Sequence, residues 1–356
     1  MNSCSDFKRA IVSKAHHLGF SKVGISRSDP TPQIANYYDW IQAGNHADMD
    51  YLARPDALAK RADPSLILPG CQRVISLAMP HHPPQAGRTE TPPCHGRLSA
   101  YALTQDYHDI IWDKLDQLEN FIHTYSNHQT QSKSYVDTGP ILERSFAAQA
   151  GIGFPGKNSC LIVPGAGSYY FLAVILTDLA LPVDPPLTRD LCGYCQRCID
   201  ACPTSCILPN RTIDAGRCIS YLTIENKAII PDQLKPYIGS WLFGCDICQM
   251  VCPHNQRTSN SIPNPDQPNP IGETVLPEFI NLLEVLTWDQ DTLLNAFSGT
   301  ALTRAKRRGL LRNAAVVLGN QGCQEALPGL KSLRRNESDP VIQDACDWAI
   351  NQIRAK

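Results

Sequence analysis

The stretch from Cys192 to Pro253 limits what this chain can fold into more than any other feature. It opens Cys192-Gly-Tyr-Cys195-Gln-Arg-Cys198-Ile-Asp-Ala-Cys202-Pro203 and closes Cys245-Asp-Ile-Cys248-Gln-Met-Val-Cys252-Pro253, with Cys218 in between. The first run is C-x2-C-x2-C-x3-C-P. In this spacing three thiolates wrap one corner of a [4Fe–4S] cube, and the fourth, turned away by the proline, serves a second cube. Crossing the ligands on this rule assigns Cys192, Cys195, Cys198 and Cys252 to one cluster and Cys202, Cys245 and Cys248 to the other. The second run is one ligand short. Cys218 fills that vacancy in preference to Cys206, which follows Cys202 by four residues on the same short turn. C-x2-C pairs also bind zinc, but eight cysteines in this order with two Cys-Pro terminators favour two [4Fe–4S] clusters.

A chain of 356 residues has room for two or three domains, each with its own core. Its net charge of −2 excludes a global basic field, so any nucleic-acid surface has to be local. Fifteen cysteines would suit a disulfide framework in a small secreted protein. Residues 1–20, however, carry no apolar signal core and read as an amphipathic helix, and no apolar run is long enough to span a membrane. Thiolate-bound clusters suit a reducing compartment, so a soluble cytoplasmic protein is expected.

Residues 1–184 alternate helical and strand-like segments and read as an α/β layer domain. Lys22–Ser26, Arg73–Met79, Lys133–Asp137, Leu161–Val163 and Tyr169–Thr177 are expected strands, the last almost wholly apolar and so central. Tyr107–Tyr125 carries a helical stripe, Ile110, Ile111, Leu115, Leu118 and Ile122. Leu142–Ala150 is helical, and the proline-rich His81–Arg97 reads as loop. Residues 185–256 form a ferredoxin-like module that follows the first domain, its clusters supplying much of the cross-linking. A loop with five prolines leads out of it into an all-α segment, residues 270–356. There Leu311–Asn320 matches Ile342–Asn351 at a spacing of 31, with Asp339-Pro340 opening the second unit. Helix pairs of this length suggest a short HEAT-like solenoid. Between Ala301 and Arg335 stand eight basic residues (Arg304, Lys306, Arg307, Arg308, Arg312, Lys331, Arg334 and Arg335) against one acid, Glu325. Such a run is either a solvated face or a phosphate-backbone surface.

Gly151-Ile-Gly-Phe-Pro-Gly156-Lys-Asn158 satisfies two nucleotide-loop patterns, yet a helix precedes it and a strand follows, the reverse of what a phosphate at a helix N-terminus needs. Asp106-Tyr-His108 resembles the start of a cobalt-ligating D-x-H-x-x-G, but Ile111 stands at the glycine position. There Asp106 reads as a helix cap and His108 as a half-exposed surface residue. Zinc-hydrolase and serine-hydrolase motifs are absent. Asp137, ending a strand in Tyr135-Val-Asp-Thr-Gly-Pro140, lies where open α/β sheets keep ligands. In a dry site its pKa would rise and it could donate a proton. A turn or N-cap role is the plainer reading of these residues taken alone.

Taken together, Val136–Arg144, Gly151–Asn158, the two cysteine runs, Cys218–Glu225 and Arg304–Ala314 resemble the epoxyqueuosine reductases, cobalamin enzymes of queuosine synthesis in tRNA related to reductive dehalogenases. The resemblance covers essentially the whole chain. It implies an oxidoreductase that reduces epoxyqueuosine to queuosine at the wobble position of a tRNA with a GUN anticodon. Its implied cofactors are two [4Fe–4S] clusters and base-off cobalamin with no histidine on cobalt. It also implies that Asp137 is the proton donor, in place of the turn role, and that Arg61, Tyr101, Asp137, Ser159 and Ser220 line the cofactor. Gly139-Pro140 and Ser159-Cys160 depart slightly from the commoner residues of the family. On that resemblance cobalamin would supply the hard chemistry, Asp137 would protonate the opening oxygen, and the clusters would return electrons at potentials that can reach about −700 mV. The basic helices would grip the tRNA backbone while the modified nucleotide is splayed into the pocket. A low-potential electron donor is required, no membrane is involved, and a monomer is expected. Two other readings stand beside this one: a plain electron-transfer protein, which would not need residues 1–184, and a dehalogenase-like cobalamin enzyme acting on a small molecule.

Overall fold

Tyr170–Thr177 is apolar along its length because both of its faces are covered. In the computed structural model, which describes residues 4–83, 90–256 and 270–356, this strand is interior to a four-stranded sheet. The strands are β1 (Lys22–Arg27), β2 (Arg73–Pro80), β3 (His95–Leu98), β4 (Ser132–Tyr135), β5 (Phe154–Pro155), β6 (Leu161–Ile162), β7 (Tyr170–Thr177), β8 (Trp241–Phe243) and β9 (Phe279–Asn281). The main sheet runs β1-β2-β7-β4 with every neighbouring pair antiparallel. Phe171, Ala173 and Ile175 of β7 face a layer made by α1 (Cys4–His17) and α4 (Tyr107–Tyr125), packing against Ile11, Ile111, Leu115 and Leu118. Two more helices lie between these in sequence, α2 (Ile34–Gln42) and α3 (Pro55–Ala62). The alternate residues Val174 and Leu176 face Phe146 of α5 (Glu143–Gln149), as the two-residue strand period requires. Gly24 allows α5 to approach β1: a Cβ there would lie 2.3 Å from the Ala150 carbonyl oxygen.

The mixed layers match the expected α/β architecture, but the sheet is antiparallel. The rule for ligand sites at parallel-strand ends therefore does not explain Asp137, which lies two residues beyond β4. The span His81–Arg97 also differs from expectation, since β3 begins within it. This strand sits between β8, parallel to it, and β9, antiparallel. Its residues, His-Gly-Arg-Leu, show no apolar alternation. Contact across the small sheet makes the strand instead: a Cβ on Gly96 would meet Leu242 at 2.7 Å, and Arg97 forms a 2.7 Å ion pair with Glu278 in which both side chains are buried. Residues 84–89, in the same span, and the first half of the expected five-proline loop lie outside the described residues.

The second half carries α6 (Arg197–Asp200), α7 (Ile219–Ile224), α8 (Ile247–Met250), α9 (Pro253–Gln256), α10 (Leu282–Val285), α11 (Gln290–Ala296), α12 (Lys306–Gln321), α13 (Leu327–Asn336) and α14 (Pro340–Ala355). One continuous core joins Ala215–Phe243 of the cluster module to Leu276–Ile353 of the tail. Cys94 and Cys323 form a disulfide across this core, with their Cα atoms 5.7 Å apart. Asp339 caps α14 by accepting from Val341 N–H, with Pro340 at the first helical position. No helix among the described residues is long and apolar enough to cross a membrane.

α12 is the centre of the tail and is buried on all sides from Gly309 to Gly319. Arg312 is therefore not a surface cation, as the basic run suggested. It is 1% exposed and donates to the carbonyls of Asn226, Ala228 and Leu222 at 2.7, 2.8 and 2.6 Å, locking α12 onto the end of α7. Burial pushes its guanidinium down to about 10. Arg312→Met would leave those carbonyls without donors and is expected to cost about 3 kcal/mol, read as a lower denaturant midpoint. An unchanged midpoint would show the network to be dispensable.

Candidate active site

A cavity of about 1070 Å³ lies where the first layer, the cluster module and the tail meet. Arg61, Tyr101, Asp137, Ser159 and Ser220, residues from five separate segments, all line it, and so does Cys218. Arg61 is buried on α3 and lies 5.4 Å above the Tyr37 ring, another wall residue. Burial pushes the Tyr101 phenol well above its ordinary value. Ser159 has a left-handed φ of 64° and donates its hydroxyl to the Arg211 carbonyl at 2.5 Å. Ser220 stands on the first turn of α7, two residues beyond Cys218.

Asp137 is held by groups far apart in sequence. Tyr107 Oη donates to Asp137 Oδ2 at 2.8 Å, while Arg304 Nη1 lies 3.8 Å and His108 Nε2 3.9 Å from the same oxygen. Tyr107 itself is stacked on Phe171 of β7, centroids 4.0 Å apart, and the Arg304 guanidinium lies 5.8 Å over its ring. Asp106 caps α4 as expected and also holds the His108 ring at 2.7 Å. His108 is thus not the surface residue its motif suggested; its side chain is 12% exposed and faces the acid. Arg304, counted in the basic run, points inward at Asp137. The backbone there has φ 56°, a left-handed conformation in a non-glycine residue, which the three contacts offset. A dry setting for Asp137 is not present in the chain alone, where its side chain is 59% exposed. A bound ligand would have to supply that cover.

Glu143 is a half-buried acid of the site. Burial first, and then the charge of Asp137, push its carboxyl up to about 7. Its Oε1 is enclosed and without a partner, as is Oε1 of Gln33 on the same cavity. An acid with a raised folded value binds its proton more tightly folded than unfolded. Its contribution is therefore full below its ordinary value of 4.5 and lost as pH rises to about 7. In protein free of cofactor, the stability difference between the parent and Glu143→Gln should shift by up to about 3 kcal/mol across that window. A flat difference would contradict the burial of the carboxyl.

The thiols of the cluster module gather in two places. The thiol of Cys198 is pushed up to about 11 by burial and by its neighbours Cys192, Cys252 and Cys195, so Cys252 of the second run does stand with the first triad. Cys245 is raised by burial and by Cys218, with Cys202 also acting on it, and Cys248 adjoins the same set. Two more thiols lie there. Cys206 Sγ is 3.5 Å from Cys202 Sγ and also bonds Cys218, while Cys160 bonds Cys248. Spacing gave no sign of Cys160, since the chain brings it in from the glycine loop. Lys157 of that loop donates to the carbonyls of Gly193 and Cys195 at 2.8 and 2.9 Å, so its lysine braces the cluster module and has no phosphate to hold.

These residues fit the groups implied for them. At least four thiols in each of two sets suit two cubes, and a cavity of this volume with enclosed, unpartnered Gln33 and Glu143 oxygens suits a corrin edged with amide donors.

A family described as "4Fe-4S double cluster binding domain" matches residues 191–255, and one described as "Epoxyqueuosine reductase QueG, DUF1730" matches residues 61–138. The chain is 39% identical to an epoxyqueuosine reductase of Aliivibrio fischeri over 95% of its own length and 89% of the relative's. It is 37% identical to that of Escherichia coli over 94% and 86%. Its fold superposes on a crystal structure of epoxyqueuosine reductase with an epoxyqueuosine-modified tRNA-Tyr stem loop, with TM-score 0.88 and 29% identity over 99% of this chain and 91% of that one. A Bacillus subtilis epoxyqueuosine reductase with its catalytic aspartate loop swung out of the active site superposes with TM-score 0.86 and 29% identity, over the same shares of the two chains.

Proposed function

Because the chain belongs to the epoxyqueuosine reductase family, we propose that it reduces epoxyqueuosine to queuosine at the wobble position of a GUN-anticodon tRNA, using cobalamin and two [4Fe–4S] clusters. The observation that carries this reading is the convergence of Asp137, Arg61, Tyr101, Ser159, Ser220 and Cys218 on one cavity. Cys192, Cys195, Cys198 and Cys252 hold one cluster. Cys202, Cys218, Cys245 and Cys248 hold the other, which adjoins the cavity through Cys218. Arg61, Tyr101, Ser159 and Ser220 line the cobalamin.

Opening the epoxide to an alkene takes two electrons and two protons and releases the oxygen as water. Bound cobalamin supplies the low-potential metal centre for this reduction, and the clusters feed it single electrons from a low-potential donor. The chain's own residues place the proton. Asp137 lies at the cavity wall and donates to the departing oxygen, while Tyr107 and Arg304 fix the carboxyl that does so. A loop that swings in a relative agrees with an acid held by contacts instead of by its backbone.

The parts divide the labour as residues 1–184 for cofactor and substrate, 185–256 for the clusters and 270–356 as a HEAT-like segment for tRNA. On that segment Arg307, Arg308 and Arg334 are paired with Glu337, Asp339 and Asp347, which leaves Lys306, Lys331, Arg335, Arg354 and Lys356 as the exposed cations with no ion pair among the described residues. The protein acts as a monomer in the cytoplasm. Family membership disfavours the small-molecule dehalogenase reading, and residues 1–184 disfavour a plain electron carrier.

The test is anaerobic conversion. Reconstituted protein with cobalamin, a low-potential reductant and epoxyqueuosine-containing tRNA should yield queuosine in the digested nucleosides. Intact clusters and bound cobalamin without product would overturn the reading.

A further inference from the structure

Beside the main cavity lies a second cleft of about 330 Å³, and the loop after Asp137 forms the partition. Asp137 and Gly139 face the large cavity, whereas Thr138 and Pro140 face the small one. The walls of the small cleft are basic and aromatic. Arg54, Lys60 and Arg61 come from the segment around α3, Lys133 from β4, and Tyr51 and Tyr135 add aromatic rings, with Leu66 and Ile67 as the apolar part of the wall. Four cations meet one acid, Asp56, whose contacts to Arg54 and Lys60 are long (3.4 and 3.5 Å) and join well-exposed side chains. Such pairs are worth little and exchange readily for a stronger anion. Tyr51 is half exposed, and Lys133 lies over the Tyr135 ring at 5.7 Å. Cations interleaved with accessible aromatic faces are what a single-stranded nucleotide needs: phosphate on the ammonium groups, base on a ring.

We propose that this cleft is a nucleotide subsite that holds a neighbour of the reacting nucleotide in the tRNA loop, its phosphate on Lys60 and Lys133 and its base against Tyr51. The inference rests on the function proposed above, because a base splayed into the main cavity carries its neighbours to the adjoining wall. It adds a role for the catalytic loop, which separates the reacting base from the next one. Arg61 lines both spaces and links the two. A nucleotide phosphate also occurs in the nucleotide tail of cobalamin, so two sources of the same chemistry have to be told apart.

The experiment measures the affinity of the full chain, with clusters in place, for an anticodon stem loop by fluorescence anisotropy across a salt series, and its affinity for cobalamin by absorbance. Lys60→Ala and Lys133→Ala should each weaken stem-loop binding roughly 10-fold and reduce the slope of log affinity against log salt by about one. Tyr51→Ala should weaken it by roughly 10-fold with the slope unchanged. Cobalamin affinity and iron content should match the parent in all three. Stem-loop binding equal to the parent's would overturn the subsite, and a loss confined to cobalamin would assign the cleft to the cofactor's tail. A parent protein that fails to bind the stem loop at all would overturn the proposed function, and the subsite with it.

Discussion

Asp137→Asn is expected to lower turnover of epoxyqueuosine in tRNA by about 10²- to 10⁴-fold, the range a positioned general acid supplies. The exchange is close to isosteric. Asn tolerates the left-handed backbone found at this position better than most residues, so the loop has no reason to rearrange. Tyr107 can still donate to the amide oxygen. What is lost is the acidic proton. Cobalamin absorbance and stem-loop affinity should therefore remain those of the parent, which separates loss of chemistry from loss of binding. Parent-like turnover would remove Asp137 from the proton-donor role. Tyr107→Phe keeps the ring on Phe171 and deletes only the bond to the carboxyl. Because Asp137 is well exposed, that bond is weak for a charged acceptor, and a loss of about 10-fold is expected.

The second large effect is expected at Cys218. Cys218→Ala should remove about half of the iron, leave the cluster of Cys192, Cys195, Cys198 and Cys252 detectable by electron paramagnetic resonance, and bring turnover to background. The choice of residue discriminates between neighbours. Cys206 lies within reach of both Cys202 and Cys218, and Cys160 touches Cys248. If Cys218→Ala kept both clusters while Cys206→Ala lost one, Cys206 would be the ligand. Parallel variants at Cys206 and Cys160 should retain full iron. Cys218 is also the thiol that lines the main cavity, so a cluster held by it would be the one placed to pass electrons into that cavity.

Ligand spacing was legible because iron–sulfur geometry acts over a few residues, and the crossing of Cys252 to the first triad followed from the same local rule. The stripe of α4 was legible for a similar reason, since its period reports one covered face. Asp137 was legible as a residue but not as a site. Its partners Tyr107, His108 and Arg304 arrive from the start of α4 and from the tail, and nothing in their local sequence records that meeting. The basic run misled for the converse reason. Arg304 and Arg312 read as surface charge, yet one faces the acid and the other is fully enclosed in backbone carbonyls. β3 escaped notice because a short polar strand is specified by its neighbours, and an antiparallel sheet cannot be told from a parallel one by the apolar content of a central strand.

The position of β3 also bears on the order of events during synthesis. Its two neighbours, β8 and β9, are made long after it, so His95–Leu98 leaves the ribosome with no strand to pair with. The main sheet suffers no such delay, because all of its strands precede Asp178. The first layer can therefore assemble early while the small sheet stays open until Asn281 has emerged. All eight thiols expected to hold the clusters are translated before that point. These thiols are therefore all present in the chain while the edge of β3 that β9 later pairs is still open.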